Sequence, residues 1–211
     1  HQASVETPTN IFVKPQLPVD SFQILAPDAN HPSSWVLPCG VFLTPEGIVI
    51  WYQRIDETLS QPTDRRVLCL GFYTNNQLRL PALHPDASPW GGPNNIVMRG
   101  ISTDKQWGGF RNCQPLFLGD RFEMFFWDMG ADNREGAFRA TSFDAKVWTT
   151  AGQAPVFSNP HGLFTILQHN NQFLLFQTVT SQKSEPSPNS GISGERRVIT
   201  LRSSANLEKW S

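Results

Sequence analysis

The sequence has few cysteines, few charged residues and no long apolar run, and each shortage excludes a class of protein. Its 211 residues include three cysteines and no Cys-x-x-Cys pair, so we expect no structural metal site and no cofactor. The formal net charge is −1 and no basic run exists, which argues against nucleic acid as a partner. No apolar stretch approaches the roughly 20 residues of a membrane span, so we expect no membrane partner.

The three cysteines allow at most one internal disulfide and leave one free thiol. Cys39 and Cys113 occupy nearby positions of two strands that we interpret as equivalent, which predicts that they lie near each other. The simpler interpretation, which we favour, is that Cys39, Cys69 and Cys113 are buried free thiols.

The chain is rich in aromatic and turn-forming residues and poor in charged ones. Charged residues make up only 17% of the chain, while 7 Trp, 15 Phe, 17 Pro and 15 Gly are present. This composition is typical of a loop-rich all-β protein. Residues 109–150 illustrate the pattern, because they contain three short apolar segments separated by turn signals such as Gly119-Asp120.

A turn motif occurs three times, at separations of 68 and 62 residues. A Ser or Thr is followed two residues later by Asp or Asn, and six residues later by a large apolar residue. Side chains of the first two types fix tight turns by bonding to nearby backbone groups. A repeat of this length is typical of propeller blades. The three copies are Thr74-Asn76-Leu80, Ser142-Asp144-Trp148 and Ser204-Asn206-Trp210.

The repeat predicts an all-β fold, a β-propeller of four-stranded blades with about three blades present. Residues 1–33 form an N-terminal lead-in segment, and residues 34–211 form the propeller. The blades cover about 34–83, 94–150 and 157–211.

The first strand of each blade is expected to line the propeller axis. Aligning Phe42, Phe117 and Phe164 brings the polar strand starts together at one mouth. In this alignment Val36, Arg111 and Ser158 are equivalent, as are Leu37, Asn112 and Asn159. The loops at 54–65, 128–135 and 179–195 should ring the same opening.

The blade endings resemble those of the five-bladed glycoside hydrolases of families 32 and 43 and their relatives. The segments that carry the resemblance are NNIVMRG at 94–100, RATSFDAKVW at 139–148 and RVITLRSSANLEKWS at 197–211. It implies a secreted or periplasmic glycoside hydrolase that acts on an extracellular poly- or oligosaccharide. It also implies carboxylates at the starts of the inner strands, because glycoside cleavage uses a carboxyl pair.

The sequence departs from this family pattern at each of those starts. Leu37-Pro38-Cys39, Arg111-Asn112-Cys113 and Ser158-Asn159-Pro160 contain no acid, and residues 110–119 and 151–170 contain none either. A positioned general acid or base contributes ~10²–10⁴ in rate, so its loss removes most of the family chemistry.

Other residues near the mouth are the candidates for function. Asp128 and His161 are the candidate catalytic acids or bases, each with a structural role as the alternative. The candidate substrate-binding residues are Arg111, Asn112, Asn159, Trp90 and Trp107, since amides and guanidinium bind hydroxyls and Trp stacks on sugar rings.

Three hypotheses therefore stay open: a glycoside hydrolase with relocated acids, a non-catalytic glycan-binding propeller that has lost its carboxylates, and a structural propeller without a sugar ligand. Three blades do not close a five-bladed ring. The chain is then either a fragment of a longer polypeptide or completed by a second chain or a homodimer.

Overall fold

The computed structural model describes residues 34–45, 47–74, 77–79, 95–103, 111–130, 133–158, 162–181 and 196–211. Antiparallel strands make up nearly all of the regular structure of these segments. The helix α1, Pro62–Arg65, is four residues long. In the described part of the chain no helix is both long and apolar enough to cross a membrane.

The strands form three sheets, one for each predicted blade. The first contains β1 (Trp35–Thr44), β2 (Gly47–Ile55), β3 (Arg66–Thr74), β4 (Gln77–Arg79) and β5 (Ile96–Arg99). The second contains β6 (Arg111–Phe117), β7 (Phe122–Met129), β8 (Glu135–Ser142) and β9 (Thr149–Thr150). The third contains β10 (Phe164–His169), β11 (Gln172–Ser181) and β12 (Arg196–Ser204). The prediction of an all-β protein built from successive antiparallel blades is confirmed.

One strand belongs to a different blade from the one we expected. We placed residues 94–100 at the start of the second blade, but β5 pairs with β3 of the first sheet, with Leu68 opposite Met98. The Asn95 side chain supports this edge, because its amide donates hydrogen bonds to the Tyr52 hydroxyl at 2.6 Å and the Leu70 carbonyl at 2.7 Å. The segment therefore finishes the first blade before the chain passes to the second.

The central strand β7 is buried on both faces, as the run of apolar residues at 124–127 predicts. Met124 and Phe126 pack against Trp51 and Leu68 of the first sheet. Phe125 and Trp127 point the other way, into the cluster that contains residues of the third sheet. The three sheets thus stack face to face, with the second between the other two.

The turn motif is confirmed in the second and third blades. Asp144 accepts hydrogen bonds from the Ser142 hydroxyl at 3.1 Å and the backbone N–H groups of Lys146 and Val147 at 2.8 and 2.9 Å. In the third blade the Ser204 hydroxyl accepts from the Leu207 N–H at 2.9 Å. Ala145 and Leu207, each three residues after the serine, have φ of 64° and 66°. In the first copy, Asn76 and Leu80 lie outside the described residues.

The shared turn geometry supports a pH-dependent prediction. The N–H groups of Val147 and Lys146 and the Ser142 hydroxyl lower the pKa of Asp144, so its ionised form stabilises the fold. Asp144→Ala should cost about 1 kcal/mol of unfolding free energy at pH 7, reduced by solvent screening. This cost should shrink as pH falls below ~4 through the folded pKa, as urea unfolding at pH 7 and pH 3 would measure.

Asn206→Ala is the matched control, because Asn206 accepts from the Glu208 N–H at 3.1 Å in the equivalent turn and carries no charge. Its cost should vary less with pH, because Asn206 is itself uncharged and its amide donates a long hydrogen bond of 3.4 Å to the exposed Glu208 carboxylate. An equal pH dependence in both variants would mean that the Asp144 charge does not stabilise the turn.

The alignment of the third blade was wrong by about five residues. Asn170 and Asn171 both have positive φ, 47° and 60°, and form the hairpin turn between β10 and β11. Phe117 lies at the end of β6 beside its own turn, whereas Phe164 lies at the start of β10. The alignment matched Phe117 with Phe164 by residue type, although the hairpin turn after each strand fixes which residues of the two blades are equivalent. Neither alignment brings an acid to the strand start.

Candidate functional site

The starts of β1 and β6 and the segment before β10 surround a cavity of about 580 Å³. The cavity lies at the predicted mouth, because the ends of β2 and β7 reach the same opening. The turns that follow Ser142 and Ser204 lie at the opposite end of the sheets. The cavity is lined by Leu37, Pro38, Gln53, Arg111, Asn112, Cys113, Trp127, Gly162 and Leu163.

Two β-bulges shape the walls of this cavity. The register of β1 shifts between Pro38 and Gly40, and that of β6 shifts between Arg111 and Gln114. A bulge bends its strand and redirects side chains, and bulges are common beside functional sites. Asn112 lies in the second bulge with φ of 47°, and its amide donates to the Gly162 carbonyl at 2.7 Å. This bond joins the second and third blades at the mouth.

Arg111 and Trp127 form the polar and aromatic wall. They are opposite each other in the β6–β7 ladder, and the guanidinium carbon lies 5.5 Å from the centre of the indole ring. Burial lowers the pKa of Arg111, and the nearby charge of Arg66 adds to the effect. Trp127 is 7% exposed, packs in the core and also lines the cavity.

Asp128, a candidate catalytic residue, is fully buried and does not line the cavity. Its carboxylate accepts hydrogen bonds from the Ile101 N–H at 2.6 Å and the Met129 N–H at 2.8 Å. These bonds tie the end of β7 to the segment that follows β5. This arrangement favours the structural alternative for Asp128.

Three other acids near the mouth are engaged in local contacts. Asp56 is 1% exposed and accepts from the Thr58 N–H at 2.9 Å. Glu57 pairs with Arg66, and Asp64 pairs with Arg99 at 2.9 Å. No carboxylate is among the described residues that line the cavity.

The structure describes only some of the predicted site residues. Arg111 and Asn112 lie together on the cavity wall, whereas His161, Asn159, Trp90 and Trp107 lie outside the described residues. Sequence reasoning missed Gln53 and Gly162. The signal for Gln53 was available, because the end of β2 was expected to reach the mouth. Within the described segments no three His, Cys, Asp or Glu side chains group as a metal site.

Comparison with known proteins finds matches only among solved structures. No family model matches the chain, and no curated protein does. A thermostable family-43 glycoside hydrolase matches with a TM-score of 0.53 and 13% identity over 84% of this chain. Fructan 1-exohydrolase IIa from Cichorium intybus, in complex with 1-kestose, matches with a TM-score of 0.54 and 13% identity over 85%. An N-acetylgalactosamine deacetylase from F. plautii matches with a TM-score of 0.52 and 11% identity over 84%.

The fold is that of the β-propeller glycoside hydrolases. The predicted resemblance to families 32 and 43 is thereby confirmed at the level of architecture. This propeller spans 51% of the length of the family-43 enzyme and 32% of that of the fructan exohydrolase. The deacetylase has a similar fold and a different named activity, so the fold alone does not fix the chemistry at the mouth.

Proposed function

We propose that this glycosidase-like propeller binds a carbohydrate in its axial cavity without hydrolysing it. The observation that carries the proposal is the composition of the wall, on which amides, a guanidinium and an indole replace the expected carboxylates. The solved structures of similar fold include complexes with 1-kestose and with blood group B trisaccharide. We infer that the ligand here is an extracellular oligo- or polysaccharide and that the protein acts outside the cytoplasm, secreted or in a periplasm.

The chemistry of the wall suits a sugar. Gln53 and Asn112 carry side-chain amides that donate to and accept from hydroxyl groups, and Arg111 adds further donors. Leu37 and Trp127 offer apolar surface to the C–H face of a pyranose or furanose ring. The cavity volume of about 580 Å³ lies within the usual range for small-ligand sites and accommodates one or two sugar units.

Substitution at Arg111 tests the binding site. A glycan array would identify a ligand of the purified chain, and calorimetry would give its affinity. Arg111→Ala should weaken that affinity about 10- to 100-fold, because hydrogen bonds to a charged group contribute ~1.5–3 kcal/mol. Lys146→Ala is the control, since Lys146 is exposed in the Ser142 turn at the opposite end. Equal affinities of the two variants would place the ligand elsewhere.

The runner-up function is glycoside hydrolysis, with Asp128 and His161 as the relocated acid and base. Incubation of the array-positive glycan with the chain, followed by a reducing-end assay, separates the two functions. New reducing ends that the wild-type chain releases and the Asp128→Asn variant does not, while both bind the glycan with equal affinity, would favour the hydrolase. Binding without product would favour the lectin-like function.

The outer face of the third sheet supports a second chain as partner. Thr165, Phe176 and Leu201 are in register across the sheet, and Thr178 pairs with Ile199, so their side chains share the face turned away from the second sheet. Several apolar side chains of this sheet are exposed: Leu167 by 49%, Ile199 by 76% and Leu201 by 58%. Exposed apolar patches of this kind mark interaction surfaces.

We propose that a second copy covers this face and that the homodimer completes a ring of six blades, a number within the known range for propellers. Light scattering of the purified chain should give twice the mass of 23.7 kDa. Ile199→Lys should return the mass to that of a monomer, and Lys146→Ala should not. A monomeric wild-type chain would rule the homodimer out.

A further inference from the structure

Two cysteines from neighbouring blades lie close together, and one of them, Cys113, lines the cavity. Cys39 lies in the bulge of β1, between Pro38 and Gly40, and Cys113 lies in the bulge of β6, between Arg111 and Gln114. Neither cysteine has a cross-strand partner in its own ladder. The two bulges therefore redirect both residues, and small shifts of either backbone break no ladder pairing at these positions.

The two thiols are neighbours in the structure. Cys39 packs against the apolar cluster that contains Cys113. The two strands approach closely here, because a Cβ added at Gly40, next to Cys39, would overlap the Pro115 side chain of β6. Cys113 is 7% exposed and lines the cavity, while Cys39 is half-buried. Burial raises the pKa of Cys113 well above its usual range, and the neighbouring Cys39 thiol adds to this effect. Cys39 is therefore the thiol that a reagent reaches first.

The third cysteine differs in its surroundings. Cys69 is fully buried in a separate cluster with Tyr52, Val67 and Ile96. Burial raises the pKa of its thiol to about 12, and the neighbouring Cys39 contributes to the rise. All three cysteines are free in this structure.

We propose that Cys39 and Cys113 form an oxidisable dithiol site, which closes to a disulfide between the first and second blades when it meets a low-molecular-weight disulfide. The inference does not depend on the proposed carbohydrate ligand. The Cys39 thiolate attacks one sulfur of oxidised glutathione and expels one glutathione thiolate. Cys113 then loses its proton and attacks the Cys39 sulfur of the mixed disulfide, and the second glutathione leaves. The protein loses two electrons and two protons, and one glutathione disulfide becomes two glutathiones.

The closed bond would join β1 to β6 at the cavity wall. It would fix the spacing of the first two blades at the mouth, where Asn112 joins the second to the third. A cross-link over so long a loop restricts the unfolded chain, so the oxidised protein should unfold several degrees (~5 °C) higher than the reduced protein.

The test exposes the native 211-residue chain to oxidised glutathione and then analyses it without reduction. Intact mass should fall by about 2 Da, the mass of two hydrogens. Maleimide labelling in denaturant should find one thiol where the untreated chain has three. Peptide mapping should find Cys39 linked to Cys113. Dithiothreitol should reverse all three changes.

Single substitutions, together with the peptide map of the wild-type chain, identify the cysteines that form the disulfide. Cys69→Ser should still lose the two hydrogens, whereas Cys39→Ser and Cys113→Ser should not. The peptide map needs no variant, so it decides the matter even if a cysteine variant fails to fold. A Cys39–Cys69 link, a stable glutathione adduct on Cys39, or three unchanged thiols would each overturn the proposal.

Discussion

Arg139→Leu is expected to destabilise the protein by about 3 kcal/mol, because it removes one partner of a buried carboxylate. Glu123 is 0% exposed near the start of β7, a strand that pairs with β6 on one side and β8 on the other. Arg139 donates to it at 2.8 Å, and Arg121 and Thr141 donate at 2.9 and 3.0 Å. The cost falls at the low end of the ~3–5 kcal/mol range for broken buried pairs, since two donors remain.

Urea unfolding measures this effect, and the first sheet offers a matched control. Arg99 pairs with Asp64 at 2.9 Å, but the two side chains are 42% and 26% exposed. Arg99→Leu should therefore cost ~0–1 kcal/mol.

The double variant Glu123→Leu/Arg139→Leu gives a second check on the buried pair. It should recover part of the loss, because it no longer leaves a buried carboxylate short of a donor. Equal costs for Arg139→Leu and Arg99→Leu would show that burial of Glu123 does not decide the energy of its ion pairs.

The strands and turns were predictable because their causes are local. Four consecutive apolar residues at 124–127 predict a strand buried on both faces, and β7 has sheets on either side. Ser142 and Asp144 predict a fixed turn by their own hydrogen-bonding chemistry, and the turn is present. Such features depend on a few neighbouring residues, which the sequence displays directly.

The register of the third blade and the network of Glu123 depend on residues far apart in the chain. Phe164 was aligned by residue type, while Asn170 and Asn171 set the strand end through their positive φ. Glu123 has the sequence pattern of an ordinary exposed strand residue. Only the ladder between β7 and β8 brings Arg139 and Thr141 to its side.

The candidate site was predictable in outline for a related reason. The absence of acids at the inner strand starts can be read from the sequence, and the described cavity wall contains none. The stacking of Arg111 on Trp127 could not be predicted from the sequence, because it depends on the bulge that shifts the register of β6 against β7. The burial of Asp128 was also hidden, since its partner Ile101 lies in the segment between the first two blades.

Gly162→Ala is expected to affect both stability and ligand binding. Gly162 has φ of +66°, and a Cβ at this position would lie 2.8 Å from atoms of the Trp127 ring. The left-handed backbone costs an alanine about 1 kcal/mol, and the overlap adds ~1–3 kcal/mol as the ring is displaced. We expect a total loss of about 2–4 kcal/mol. Because Trp127 forms a wall of the cavity, glycan affinity should fall as well.

Gly119→Ala separates the two contributions. Gly119 also has a positive φ, of +96°, but nothing lies within 4 Å of its added Cβ. This variant should lose only about 1 kcal/mol and keep its glycan affinity, since the β6–β7 turn is at the opposite end from the mouth. If Gly162→Ala lost no more stability than Gly119→Ala and bound glycan equally well, the contact between Gly162 and Trp127 would not shape the site. A larger loss in both measurements would instead show that the close approach of the third blade to the Trp127 ring, made possible by one glycine, holds the cavity wall in place.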